Sequence, residues 1–198
     1  MGRQVFVGQP ERTNGELLSA VAGNPDAFLG IFDRHFSAVH RFIVRQLGPP
    51  AAEDAAAEVF VRALRGANSF APDATDARPW LLGIAANVIR GELRRRYRDV
   101  HQPLEAVEPL QAGLVDEGRL DAVGRLAEVR SALESIPLDD REPLLLYAWA
   151  DLSYEEIAEA LRLPIGTVRS RIARGRRRLR SELGSERLEA GPEGAYDR

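Results

Sequence analysis

Leu152-Ser153-Tyr154-Glu155-Glu156-Ile157-Ala158-Glu159-Ala160-Leu161 is a short helix with its start written into it. Ser153 and Glu156 have the spacing of a capping box, in which each side chain satisfies the other residue's backbone N–H, and Leu152 and Ile157 stand where a hydrophobic staple places them. A tight Arg162-Leu163-Pro164 connection leads into Ile165-Gly166-Thr167-Val168-Arg169-Ser170-Arg171-Ile172-Ala173-Arg174 and then Gly175-Arg176-Arg177-Arg178-Leu179-Arg180. Ile165, Val168, Ile172, Leu179 and Leu183 recur at helical spacing as a packing stripe, which leaves Thr167, Arg169, Ser170, Arg171 and Arg174 facing outward. Two helices joined by so short a turn form a helix-turn-helix signature.

Residues 162–181 contain eight Arg and no acid. A solvated helix face mixes signs, because Glu and Arg four apart attract while like charges repel, so an all-basic face calls for an anionic partner. Arginine presents a planar donor fork that fits guanine O6/N7 and phosphate oxygens; the exposed N-terminal turns can read bases while later arginines hold the backbone. The expected duplex contacts are Gly166, Thr167, Arg169, Ser170, Arg171, Ala173, Arg174, Arg176 and Arg178. The competing reading is a solvated or protein-binding helix.

Upstream, Asn24-Pro25-Asp26 supplies an N-cap, a proline at the first helical position and an acid at the positive helix end. Phe28, Phe32, Phe36, Val39, Ile43 and Leu47 then follow at helical spacing as the inward side until Gly48-Pro49-Pro50 stops the helix. A second helix is expected from about Ala51 to Arg65, burying Val59, Phe60, Ala63 and Leu64. Residues 66–79 are rich in Gly, Pro, Asp, Asn and Ser and read as a long loop. A third helix is expected from near Trp80, with Leu81, Ile84, Val88 and Leu93 inward, running into Arg94-Arg95-Arg96-Tyr97-Arg98. Trp80 and Phe70 stand beside apolar repeats and read as core, with base stacking as the alternative.

From Asp99 to Gly124 helical periodicity fails, prolines stand at 103 and 109, and charge turns acidic, with one Arg against six acids. This reads as a flexible tether. Beyond it, helices are expected at about 125–135, 139–150, 153–162 and 165–183. The expected architecture is all-α: two small helical domains joined by a flexible linker, the C-terminal one a helix-turn-helix. Its parts are an N-terminal extension (1–24), a first domain (25–98), the linker (99–124), a second domain (125–183) and a tail (184–198).

Composition removes several function classes. The chain has 198 residues, a net charge of -3 and no cysteine, so disulfides and thiolate catalysis are excluded. Three histidines cannot supply a metal site alone, and His35 and His40, five apart, do not share a helix face as a metal pair would; both read as surface or boundary side chains. No metal and no cofactor are expected. No apolar run approaches the roughly 20 residues that cross a bilayer, and Met1 to Asn14 lacks the apolar core of an export signal. The expectation is a cytoplasmic, nucleoid-associated chain without membrane insertion. All 27 basic residues are Arg, so their placement carries the argument.

In two separate blocks the chain resembles the bacterial extracytoplasmic-function (ECF) sigma factors. Ala52-Glu53-Asp54-Ala55-Ala56-Ala57-Glu58-Val59-Phe60-Val61-Arg62-Ala63 is similar to the family's polymerase-binding helix, and Trp80-Leu81-Leu82-Gly83-Ile84-Ala85-Ala86-Asn87 to its minus-10 helix. Ser153 to Arg178 resembles its minus-35 reader almost throughout, and the order and spacing of the blocks match. The family often has Gln at Ala57, Arg at Ala86 and an acidic or amide residue at Gly91. The resemblance implies a sigma factor, not an enzyme, that directs RNA polymerase core to promoters and so initiates transcription. Residues 25–98 correspond to sigma region 2 and 125–183 to region 4. By the same resemblance residues 51–65 bind the beta-prime coiled coil of polymerase through Asp54, Glu58 and Arg62, and the beta flap is a further contact. Asn68, Ser69, Asn87, Arg90, Arg94 and Arg95 hold the melted minus-10 strand and the helix-turn-helix reads the minus-35 duplex. An anti-sigma factor is the implied regulator.

Two other readings compete: a stand-alone regulator binding duplex DNA through the second domain, which leaves the first unexplained, and an interaction protein mimicking a sigma surface, against which the basic recognition helix speaks. No constellation of catalytic side chains supports an enzyme.

Overall fold

The computed structural model describes residues 12–70, 76–99 and 128–184. Every regular element among them is helical, and the chain divides into two compact units, Met1–Gly91 and Glu92–Arg198. All of the expected linker except Asp99, and the tail beyond Gly184, lie outside the described residues.

The first unit begins with an element the periodicity missed, α1 (Asn14–Ala20), whose start is a capping box made by Thr13 and Glu16. Seven residues with a glycine among them make a poor isolated helix, and tertiary contacts hold this one. Leu17 and Leu18 are buried, and Arg34 Nη1 donates to the Arg12 carbonyl (2.7 Å) and to Asn14 Oδ1 (3.2 Å). Leu17 lies over Gly30, where any β-carbon would come within 2.9 Å of it.

Asn24 caps a 3-10 turn, Pro25–Ala27, by accepting the Asp26 N–H, and α2 (Phe28–Leu47) follows at once. Gly48 ends it at φ +79°, a conformation suited to glycine. The two prolines that stop α2 also start α3 (Pro49–Arg65), at positions where a missing N–H costs nothing; the helix therefore begins two residues before the expected Ala51. α4 (Arg78–Asp99) likewise starts ahead of Trp80, with Asp76 Oδ1 accepting the Arg78 N–H at 2.8 Å.

The inward faces are rotated relative to the sequence reading. On α2, Ile31, His35 and Phe42 are buried, while Phe32 is 37% exposed and half-buried Phe36 packs beside it at 4.9 Å. On α3, Ala52, Ala55 and Ala56 join the core and Leu64 turns out to solvent. On α4, Leu81, Leu82, Ala85, Ala86 and Ile89 are covered, and Ile84 and Leu93 are only half-buried. Helices flanked on two sides bury a stripe wider than the large side chains mark out, and alanines fill the close approaches. Phe70 is core as expected, its ring 5.3 Å from that of Trp80.

In the second unit residues 128–135 form α5, followed by α6 (Leu138–Ala150), α7 (Tyr154–Leu161) and α8 (Ile165–Leu183). Its core is built from Ile136, Leu146, Leu152, Ile157, Val168 and Ile172. Arg141 on α6 is buried, donates from Nη1 to the Leu133 carbonyl at 3.2 Å, and has its pKa lowered by desolvation.

Candidate nucleic-acid interface

The capping box at the start of α7 forms as its spacing implies: Ser153 Oγ accepts the Glu156 N–H at 3.2 Å, and Glu156 Oε2 accepts the Ser153 N–H at 2.7 Å. Leu152 and Ile157 are both buried. The turn after α7 is a Schellman motif. Arg162 takes the left-handed conformation (φ 53°, ψ 47°), its N–H bonds to the Glu159 carbonyl at 3.1 Å, and the Leu163 N–H reaches back to the Ala158 carbonyl at 2.9 Å. α8 then starts on the Pro164 carbonyl, which accepts from Thr167 and Val168.

Val168 and Ile172 form the buried stripe of α8, with Leu179 and Leu183 half-buried beside it. Ile165, expected in that stripe, is 36% exposed. Gly175, which no packing argument from sequence places inside, is buried: a β-carbon there would stand 3.1 Å from the Asp140 carbonyl and 3.1 Å from Leu144 Cδ2. α6 and α8 cross at that glycine.

The arginines of α8 divide into two groups. Arg174, expected to point outward toward DNA, is turned back on α6: its Nε is 3.1 Å from both Asp140 carboxylate oxygens and its Nη2 is 2.8 Å from Oδ1. That hydrogen bonding raises its pKa above the ordinary arginine value. Arg171 approaches Asp139 at 4.0 Å, and Arg176 lies over the Tyr147 ring, 4.8 Å from its centroid. Arg174 keeps 47% of its side chain exposed while paired, and Arg169, Arg177, Arg178 and Arg180 are exposed as well. At about 100° per residue, Gly166, Ser170, Ala173 and Arg177 fall within about 60° of one another on the side opposite the buried stripe, with Arg169 and Arg180 along one edge. Thr167 is half-buried, and its carbonyl accepts from Ser170 Oγ at 2.9 Å. Arg177 was not among the expected contacts; the angular position that singles it out was already present in the sequence.

In the first unit, Asn68 and Ser69 lie exposed on a 3-10 turn (Ala67–Ser69), with Ser69 Oγ donating to the Gly66 carbonyl at 2.7 Å. Asn87 is exposed on α4 and donates to the Gly83 carbonyl at 3.0 Å. Asn87, Arg90 and Arg94 share one stripe of α4 at i, i+3, i+7; Arg90 is half-buried and Arg94 exposed. Arg95 pairs with Glu92 at 2.6 Å. Residues 71–75 lie outside the described residues. On α3, Asp54, Glu58 and Arg62 are all exposed and one helical turn apart, Arg62 pairing with Glu58 at 2.7 Å. Val61, and Leu64 that was expected inside, are exposed on the same helix.

Among the described residues no group of three or more His, Asp or Glu side chains is placed to hold a metal ion, and no helix is long and apolar enough to cross a membrane.

Two family models match the chain, "Sigma-70 region 2" over residues 31–99 and "Sigma-70, region 4" over residues 126–179. The ECF RNA polymerase sigma factor SigM of Mycobacterium tuberculosis (strain H37Rv) is 35% identical over 181 residues, covering 90% of this chain and 89% of that protein. SigW of Bacillus subtilis is 32% identical over 173 residues, covering 81% and 91%. Among solved structures, CnrH in complex with the cytosolic domain of CnrY matches with a TM-score of 0.63 at 26% identity over 87% of this chain and 98% of that one. RpoE in complex with the anti-sigma factor NepR from Bartonella quintana matches at 0.60 and 27% identity, over 82% and 99%. Both matched regions fall on the helices that carry the exposed arginines and the α3 carboxylates, in the order the motifs predict, and the chain belongs to the ECF group of RNA polymerase sigma factors.

Proposed function

We propose that the chain binds RNA polymerase core through α3 and directs it to promoters by reading a minus-35 duplex with α8 and a melted minus-10 strand with the 67–69 turn and α4. The observation that carries the reading is the open face of α8. Arg169, Arg177, Arg178 and Arg180 lie exposed around a line of small side chains, Gly166, Ser170 and Ala173, so the backbone can approach a groove closely while the arginines reach bases and phosphate. Arg169, in the first turns, is placed for base edges; Arg177, Arg178 and Arg180 follow where the helix leaves the bases and passes phosphate. On α3, the carboxylates of Asp54 and Glu58 beside exposed Val61 and Leu64 suit a partner surface that is both cationic and apolar. Residues 99–124 connect the two DNA-reading units. Control by an anti-sigma factor is part of the proposal, supported by the NepR complex of the RpoE relative.

Run-off transcription with purified core polymerase tests this. The wild-type chain should create start sites that core alone does not use, and Asp54→Arg with Glu58→Arg should abolish them and core binding while leaving the helical circular dichroism unchanged. Absence of new start sites with the wild type would refute the reading, and undiminished core affinity in the double variant would refute the role of α3.

A further inference from the structure

Asp140 has no role in the reading above, and its position is unusual. It stands in the first turn of α6, is 6% exposed, and spends both carboxylate oxygens on the guanidinium of Arg174, 34 residues away. Gly175 lets the Asp140 backbone come closer to α8 than any β-carbon would allow without displacement, so the pair is set by backbone proximity as well as by charge. The bonds use Nε and Nη2, which commits one edge of the guanidinium to α6.

The electrostatic consequence concerns the neighbouring helix face. Affinity for phosphate counts uncompensated cations, each of which adds sequence-independent binding and salt dependence. With Arg174 neutralised by Asp140, that count on α8 is lower than its seven arginines suggest. Arg174 keeps 47% of its side chain exposed, and an ion pair open to solvent on one side adds little net stability, so holding α6 to α8 does not by itself account for the pair.

We propose that Asp140 is a specificity-determining positioning residue: by holding Arg174 against α6 it keeps that arginine from adding indiscriminate phosphate affinity, and leaves discrimination to the open face of Arg169, Ser170 and Ala173. The proposal rests on the reading of α8 as the duplex-binding helix.

The test uses the full-length chain as wild type, Asp140→Asn, and Asp140→Asn with Arg174→Gln, the last an uncharged pair. Binding is measured to a duplex that the wild type enriches from a randomised pool, and to a scrambled duplex of the same composition, across a tenfold span of salt. Asp140→Asn frees one cation, so the salt slope on the scrambled duplex should steepen by ~0.9, which separates it from wild type by roughly eightfold between the ends of the span. Its preference for the enriched duplex should fall. The double variant should return to the wild-type slope. An unchanged slope in a folded Asp140→Asn, or parallel loss on both duplexes, overturns the proposal and leaves the reading of α8 standing. The double variant decides even where the single one fails to fold, because a slope lower than wild type by ~0.9 would mean that Arg174 already contacts phosphate. A wild-type chain that prefers no duplex and shows no salt dependence overturns the reading of α8, and the proposal with it.

Discussion

His35 and His40, five residues apart on α2, have different surroundings. His40 stacks on Phe36 at 5.3 Å and faces Glu53 at 3.4 Å. His35, expected at the surface or boundary, is instead buried between α2 and α1, with Nε2 3.4 Å from Asn14 Oδ1. An unexpected helix covers it, so no periodicity within α2 reveals the burial. Desolvation lowers its pKa from the ordinary 6.5; Asp76 opposes the shift, and Arg34 and Arg78 reinforce it. Between the lowered folded value and the unfolded value near 6.5 the unfolded chain binds more protons than the folded one. This contribution to stability is therefore fully present above the unfolded value and is lost as pH falls through it toward the folded value. Denaturant midpoints of the wild-type chain should fall between neutral pH and mild acid with a slope from this group of at most about 1.4 kcal/mol per pH unit. His35→Gln, which keeps an amide donor near Asn14, should flatten that difference. A variant whose midpoints fall as steeply as the wild type's would show that another group is responsible.

Two helices carry a glycine at the same kind of interior position, and the surroundings assign them opposite roles. Around Gly91 on α4 nothing lies within 4 Å of where a β-carbon would stand, whereas at Gly175 on α8 the Asp140 carbonyl and Leu144 stand at 3.1 Å. Gly91→Ala should raise stability by about 1 kcal/mol, the propensity difference in an open helix. Gly175→Ala should lose that gain to the displaced α6 backbone, and Gly175→Val should be clearly destabilising; urea unfolding of the three variants reads the contrast, and an equal gain for both alanine variants would show that α6 yields freely. The same contrast explains how much of the fold was legible. Caps and stops depend on chemistry within a few residues, so Asn24, Gly48, Ser153 and Glu156 could be read directly, and so could the helix-turn-helix they frame. α1 carried a legible Thr13–Glu16 box, but its seven residues are held by Arg34 and by the Gly30 approach, contacts no short window contains. At the site, residue types and outward angles on α8 were legible, whereas the withdrawal of Arg174 was not, because its partner is 34 residues away. Arg177 was overlooked in favour of Arg176 and Arg178, although its angle places it nearer the centre of the open face.

Across the whole molecule, each unit has its own core: Leu18, Ile31, Val39, Ile43, Val59, Leu81 and Leu82 in the first, and Ile136, Leu146, Leu152, Ile157, Val168 and Ile172 in the second. A domain with its own core folds alone when its boundary leaves that core and its helices intact. The two units divide at Gly91, but α4 continues to Asp99 and carries Arg94 and Arg95, so a cut at the division would remove part of the expected minus-10 surface. Fragments 1–99 and 125–198 keep every described helix whole. Each should be soluble and helical and should melt cooperatively, and limited proteolysis of the full chain should cut first within 100–127. Function should separate with the cores: the first fragment should bind polymerase core through α3, and the second should bind a duplex. The charge distribution supports the separation, because residues 125–183 hold 11 Arg against 10 acids while eight of those arginines fall in the acid-free stretch 162–181, giving the second fragment a local basic face despite near-neutral total charge. Its duplex binding should therefore weaken steeply with salt. Core binding by the first fragment should depend on the Asp54 and Glu58 carboxylates. If the second fragment were helical yet bound duplex only when residues 1–99 were added, the two units would read DNA as a single surface, and the independence argued from their separate cores would be wrong.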